Sequence, residues 1–484
     1  MMARTSQAGG FSRRAILRTM GMAALGTVAG PIVAACGGAA PATTGSTTKP
    51  TEAPPAVATT TTAAAAKPAA QGAVAELRLH VRTGLEADTL TDRLPEFESR
   101  VPGTKVKIES FPGAEYFAKI QTLTAGGQLG DVLWGIVHQG WGPYFLASGV
   151  TMPLDSLVES DKFDLSQYYP VAVQAIKIFE DKILGVPFKL QPFAIGLYYN
   201  ATAFDEEKVQ APTLNTTQDE LVEIAKKMTK NDASGRTIRF GFLPALIGTG
   251  YESLVTVVRP FGGDVMSADG KKATLNSPAA VAGMKWTYDQ VFQHKVAPSV
   301  QQLGGDPANP QDSMFVAGSG AMFQAGSSAK SLPTRVKDKF VVKDTLMPMG
   351  PGNNRGSMAG VDVIMINKQT KLQKQSWELI KLLCDKETGI RLGEGQGGAS
   401  GTCGARPDAF NDPRLLANPL HPVWIKAAED AGPLYVPGNF RGGEVDTLIK
   451  QKLGGLYNGD EKFEQKFFDD LNGGVQQILD KPKP

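Results

Sequence analysis

Apolar and polar positions alternate with period two near residue 77: Leu77, Leu79 and Val81 against Arg78, His80 and Arg82. That is the pattern of a strand with one buried face. A helix is predicted from about Glu86 to Arg100, then a strand over Lys105–Ser110, a helix over Ala114–Ala125 and a strand over Val132–Gly135. Strands alternating with helices predict an α/β fold on a mostly parallel sheet. Thr217-Gln-Asp-Glu220 carries a capping-box pattern ahead of Leu221, Ile224, Ala225 and Met228. Ser277-Pro278 places an N-cap before a proline at the first helical position, leading into Val281–Phe292. From about Asn411 the pattern is helical throughout, and no repeat recurs at solenoid spacing.

One stretch stands apart. The apolar run Ile183–Val186 stops at Pro187, and a second, strand-like run spans Phe193–Tyr199. Between them lies a short extended bridge with a proline at each end, which predicts a segment outside the sheets. Lys189 and Gln191 point the same way along it, because side chains alternate in extended chain. A strand leaving one sheet, exposing a cation and an amide, and entering another is what a hinge between two lobes requires. The other reading is a surface strand-turn-strand.

The first 74 residues change the picture of the rest. Ser12-Arg-Arg-Ala-Ile-Leu-Arg18 is a basic patch, and a weakly apolar, glycine-containing run from Met20 to Ala35 follows. That run is too short and small-sided for a stable membrane span and reads as an export signal, residues 1–35. Residues 36–74 are almost entirely Ala, Thr, Pro, Gly and Ser after Cys36 and lack the side chains that offset ordering entropy. They predict a disordered tether with a span of roughly 30–35 Å. The formal charge of +2 includes four arginines of the leader; without them 46 basic residues face 48 acidic ones. That balance gives no sign of a nucleic-acid surface. The 484 residues exceed one core, so two or more domains are expected.

Motifs for chemistry are few. His80, His138, His294 and His421 show no metal-ligand spacing, and there is no C-x-x-C, Walker loop or G-x-S-x-G elbow. Gly393-Glu-Gly-Gln-Gly-Gly398 satisfies G-x-G-x-x-G but follows a helix starting near Trp377 instead of a strand, so it reads as a helix-ending loop. No metal or cofactor is expected. Cys384, among Trp377, Ile380 and Leu383, reads as a buried thiol; Cys403 lies in a Gly-Ser-Thr loop, and a bridge between the two is the alternative in an exported protein.

Arg13-Arg14 resembles a twin-arginine export motif, with the general secretory route as the alternative, and Val33-Ala-Ala-Cys36 resembles a bacterial lipobox, which implies lipidation of Cys36. Across the body, Phe97–Val106, Ala125-Gly-Gly127 with Gly130-Asp-Val132, Gly149–Asp155, Gly185–Asn200, Gly262-Gly263, Phe315–Met322 and Ala405–Asp408 follow one another in a familiar order. That order resembles the family 1 extracellular solute-binding proteins of bacterial ABC importers, the group that includes maltose-type sugar binders. Gly130 stands where that family carries proline. The resemblance implies a two-lobed periplasmic-binding-protein-like α/β fold (type II), with a helical C-terminal tail and ligand in a cleft between lobes. One lobe takes about 75–188 and 356–412, the other about 189–355 and 413–484. It also implies a monomer that binds a small solute, partners ABC permease subunits and is held at the outer face of the cell membrane by lipid on Cys36.

The ligand contacts so implied are Arg82 and Thr83 after the first strand; His138, Gln139 and Trp141 after the third; and Lys189 and Gln191 on the bridge. Further along come Tyr251 and Glu252 at a helix start, Ser327 and Ser328, Asp362 opening an apolar strand, and Arg406. Trp141, in a Gly-Trp-Gly-Pro turn with few neighbours to pack on, is expected to face the cleft, and Asp362, as a lone carboxylate, to find a partner or a ligand hydroxyl. Where some members of the family carry a tryptophan this chain has Ser327 and Ser328, which argues against a large stacked oligosaccharide. Trp286 and Trp377, at helical spacing with apolar residues, are expected in the core. The expected ligand is a mono- or oligosaccharide or a related polyol, bound without a catalytic step. The alternatives are a secreted carbohydrate-active enzyme, which needs two facing carboxylates, and a binder of another solute such as a polyol phosphate, a peptide or a polyamine.

Overall fold

The computed structural model describes residues 74–245, 250–303, 310–395 and 402–483. The export signal, Cys36, the tether and the end of the Gly393–Gly398 loop lie outside the described residues. No helix among those described is long and apolar enough to cross a membrane.

Among the described residues ten strands form two five-stranded sheets. In chain order they are β1 (Ala75–Arg82), β2 (Thr104–Phe111), β3 (Val132–Ile136), β4 (Val186–Pro192), β5 (Gly196–Asn200), β6 (Lys230–Asn231), β7 (Thr237–Leu243), β8 (Gly320–Ala325), β9 (Val342–Leu346) and β10 (Ala359–Ile366). The first sheet runs β2-β1-β3-β10-β4 and the second β6-β7-β8-β5-β9. The chain leaves the first sheet after Pro192, enters the second at Gly196, and returns between Leu346 and Ala359.

The expectation of mostly parallel sheets is corrected. β1 pairs parallel with β2 and β3, and β7 with β8. Every pairing made by β4, β5, β6, β9 or β10 is antiparallel. Periodicity identifies strands, but their direction depends on where the chain returns, and β10 comes back from the second sheet. The bridge is corrected too: Val186–Pro192 is a strand of the first sheet, laddered to β10 and touched on its other side by a single antiparallel bridge from Lys189 to Gly404. It sits at the edge, where a proline's missing donor is tolerated. A register shift opposite Asp362 and Val363 re-aims the chain there.

The helix expected over Glu86–Arg100 is two, Leu85–Thr91 and Leu94–Arg100. Pro95 explains the break: its ring would meet the carbonyl four residues back in a continuous helix, and it fits only in the first turn of a new one. The caps at Thr217 and Ser277 form as expected, with the reciprocal Thr217–Glu220 bonds starting Gln218–Met228 and Ser277 capping Pro278–Phe292.

All eight residues of β10 are buried, and Val361, Val363, Ile364, Met365 and Ile366 expose nothing. Each such side chain contributes roughly 1.5–3 kcal/mol of transfer free energy, so β10 is the core of the first sheet. Trp424, in the helix His421–Glu429, is buried on the second sheet and donates to the Tyr198 hydroxyl at 2.9 Å. Trp377 is buried and donates to Asp161, and Trp286 is half-buried against Phe242. Cys384 and Cys403 are both buried free thiols, so the bridge considered for them is absent.

Candidate functional site

The strand β4 carries Lys189 into the protein instead of presenting it at the surface. Lys189 is 1% exposed, and its ammonium lies 3.0 Å from Asp362 on β10 and also pairs with Glu86. Asp362 accepts in addition from the Trp134 indole at 3.1 Å and, more weakly, from the Gln191 amide at 3.4 Å. Arg82, at the end of β1, pairs with Glu86 one helical turn on and lays its guanidinium 4.8 Å over the Trp134 ring. Two cations and two carboxylates thus compensate one another beside the crossing between sheets. Burial alone would push the Glu86 carboxyl up, but the Lys189 charge and the Arg82 hydrogen bond outweigh it and hold the pKa at about 2.

Beyond Gln191 the chain turns through Phe193 and Ala194 into β5 and borders a cavity of about 580 Å³. Its other walls include Glu252 and Ser253 in the helix Tyr251–Val258, Phe323 to Ala329, and Asp312, which pairs with Arg335. Gln324, 3% exposed, braces this corner: its amide donates to the Ala194 carbonyl at 2.8 Å and to the Thr256 hydroxyl at 3.3 Å. Gly360 leaves room for the Phe193 ring, since a Cβ there would stand 2.1 Å from it.

Glu252 also borders a smaller cavity of about 170 Å³, with His138, Gln139, Trp141 and Tyr251. It accepts from the Gln139 amide at 3.1 Å and lies 3.3 Å from the His138 ring nitrogen Nε2. Residues that follow β3 of the first sheet are thereby joined to a helix that follows β7 of the second. Burial lowers the His138 pKa against the pull of Glu252. The indole of Trp141 stacks flat on Phe117 at 4.5 Å, so it has more to pack on than its glycine-rich turn suggests.

The structure therefore brings Gln191, Glu252, Ser327 and Ser328 to one cavity and His138, Gln139, Trp141, Tyr251 and Glu252 to its smaller neighbour. Arg82, Lys189 and Asp362 form the charge cluster behind them. Thr83 is exposed beyond β1 and lines neither cavity. Arg406 turns to Asp408 at 2.7 Å and to Gln167, away from both.

Sequence reasoning missed Glu86, Phe193 and Gln324. Glu86 sits in the first turn of a helix, where an acid ordinarily faces solvent and the helix dipole; the only signal was its spacing from Arg82. Phe193 reads as part of a strand, yet it lies between two. For Gln324 there was no signal.

Among the described residues no group of three or more His, Cys, Asp or Glu side chains could hold a metal ion.

Several known proteins share this architecture. A substrate-binding protein of an ABC transporter from Listeria monocytogenes, solved in complex with cycloalternan, is 20% identical. It superposes with a TM-score of 0.70 over 84% of this chain and 99% of that one. The maltose-bound MalE3 of T. maritima is 23% identical, with a TM-score of 0.67 over 84% and 100% of the two chains. At such identity the likeness shows the fold, which is two-lobed. In sequence, a binding protein of Brucella abortus (strain 2308) is 22% identical over 306 residues, 62% of this chain and 69% of its own. The model of the family described as bacterial extracellular solute-binding protein matches residues 83–389, most of the body that carries both sheets, and the chain belongs to that family.

Proposed function

We propose that the chain captures a neutral, hydroxyl-rich solute, a mono- or oligosaccharide or a related polyol, in the cavity bordered by Gln191, Phe193, Glu252 and Ser327, and passes it unchanged to an ABC permease. The carrying observation is that the two cations beside this cavity are already balanced by carboxylates inside the protein and that its other polar groups are hydrogen-bonding side chains. Asp362 and Glu86 face Lys189 and Arg82, and Glu252 faces His138 and Gln139. The Lys189, Arg82, Glu86 and Asp362 charges cancel one another, and the Glu252 carboxylate, held by the neutral His138 ring and the Gln139 amide, stays an acceptor for a hydroxyl; the Gln191 amide and two serines add further polar groups, with Phe193 and Phe323 as apolar wall. The solutes named for proteins of similar fold point the same way: cycloalternan, acarbose, maltose, tagatose and ribitol.

The lobes in this reading are about 75–192 with 356–412 and about 193–355 with 413–484, the border moved so that β4 stays with its sheet. Ligand shifts an equilibrium toward the closed form because only that form touches it from both sides. His138, Gln139, Trp141, Tyr251 and Ser328 complete the proposed contact set, and Arg82, Lys189 and Asp362 hold it from behind. Outside the described residues, Cys36 carries the lipid after export through the twin-arginine signal, and 36–74 is the tether that holds a monomeric body off the membrane.

Calorimetry of the full chain against a panel of sugars and polyols tests this. One neutral compound should bind saturably, and Gln191→Ala should weaken it about 5- to 100-fold, the loss of one or two hydrogen bonds to a desolvated partner. Binding of a charged compound instead, or an unchanged affinity in Gln191→Ala, would refute the assignment. Turnover of a chromogenic glycoside would favour the enzyme alternative.

A further inference from the structure

A third cavity, of about 410 Å³, shares no lining residue with the other two. It lies where the segment leading from β9 into β10 meets residues 430–435, and Arg259, Arg355, Ser357, Gly432 and Tyr435 line it. We infer that it binds a small oxyanion, of phosphate, sulfate or carboxylate type, held by Arg259, Arg355 and Ser357. The inference does not depend on the solute proposed for the first cavity.

Three donors at this cavity are buried and, among the described residues, have no hydrogen-bond partner: Nη2 of Arg259, Nε of Arg355 and Oγ of Ser357. Arg259 is 7% exposed and Ser357 6%, so bulk water does not make up the deficit. The rest of the Arg259 guanidinium is engaged, Nε by Asp264 at 2.8 Å and Nη1 by the carbonyls of Pro433 and Ser357 at 2.9 and 3.2 Å. The Tyr435 ring covers it 5.1 Å away. Arg355 is held by backbone alone, through the carbonyls of Met347 and Leu214, and among the described residues it makes no ion pair. Asp430, also at the cavity, is taken by Lys426. The Arg355 guanidinium therefore has no carboxylate in direct contact, and Asp430 acts on it only through space, beside three unmet donors. A Cβ on Gly432 would approach the Ser357 carbonyl to 2.7 Å and Arg259 Nη1 to 3.4 Å, so glycine keeps the space open.

Buried donors without acceptors are costly, and an acceptor-only ligand bearing several oxygens satisfies them together. Guanidinium edges match the geometry of phosphate, sulfate and carboxylate. A neutral polyol supplies oxygens but no charge for Arg355.

The test is titration of the full chain with inorganic phosphate, sulfate and acetate, each exchanged against chloride at constant ionic strength, with calorimetric readout. At least one should bind saturably. Phosphate and sulfate without acetate would identify a tetrahedral group, and acetate alone a carboxylate. Arg355→Gln should weaken binding about 10- to 100-fold and Ser357→Ala about 3- to 10-fold. Ser357 Oγ makes no bond in the structure, so Ser357→Ala should melt as the parent does without anion, which separates lost binding from lost fold. No saturable binding by any of the three, or equal affinity in the parent and both variants, would overturn the inference.

Discussion

Lys189→Met is expected to lower the free energy of unfolding by about 3–5 kcal/mol, the usual cost of removing one partner from a buried ion pair. The ammonium it removes faces Asp362 at 3.0 Å and also Glu86. Glu86 keeps Arg82 afterwards, but Asp362, itself 1% exposed, keeps only the Trp134 indole and the distant Gln191 amide. The charge is then desolvated with only the through-space pull of Arg82 to offset it. Methionine fills the volume, so the loss reads the charge and not a void. Adding Asp362→Asn to Lys189→Met should recover a large part of the stability, because asparagine still accepts from Trp134 while carrying no charge. Urea unfolding of the parent, both single variants and the double variant measures this coupling. Additive losses would mean that the pair does not interact as described.

The second large effect concerns His80. It is fully buried, its Nε2 accepts from the Gly130 amide at 2.7 Å, and its pKa is lowered to about 4. Burial is the main cause, assisted by Arg78 and opposed by Glu109 and Asp131. An unfolded histidine titrates near 6.5. The folded state therefore prefers the neutral ring, and the stability this provides is complete above pH ~6.5 and lost as pH falls through about 4. The shift corresponds to about 3 kcal/mol. Asp344 acts in the opposite sense, since burial raises its carboxyl to about 8 and it regains stability on acidification. The stability of the parent alone thus mixes both signs. The difference between the parent and His80→Gln isolates the ring: the deficit of the variant at pH 7 should shrink by about 3 kcal/mol at pH 4. A deficit that stays constant with pH would show that His80 titrates in the folded protein as it does unfolded.

What could be read from sequence was what is local. The alternation at Leu77–Arg82, the reciprocal cap at Thr217 and Glu220, and the Ser277-Pro278 helix start each depend on a few neighbouring residues, and each formed as expected. Pro95 was an equally local signal that the long-helix reading passed over. The direction of β10 was not legible, because its partners β3 and β4 lie far away in sequence. The same distance explains the site. Asp362 could be seen to need a partner, but only the fold shows that the partner is Lys189, and that Glu86 closes the cluster. Gln191, Glu252 and Ser327 were each legible as polar groups at strand or helix ends; that they border one cavity was not.

In the function proposed above, the two lobes grip a neutral solute at the crossing between sheets and release it unaltered. A crystal structure of the protein with the tightest-binding compound of the panel decides whether they do. An intact sugar or polyol is expected against Gln191, Phe193, Glu252 and Ser327, touched from both lobes. A cleaved ligand there, or a ligand seated elsewhere with this cavity free of it, would refute that function.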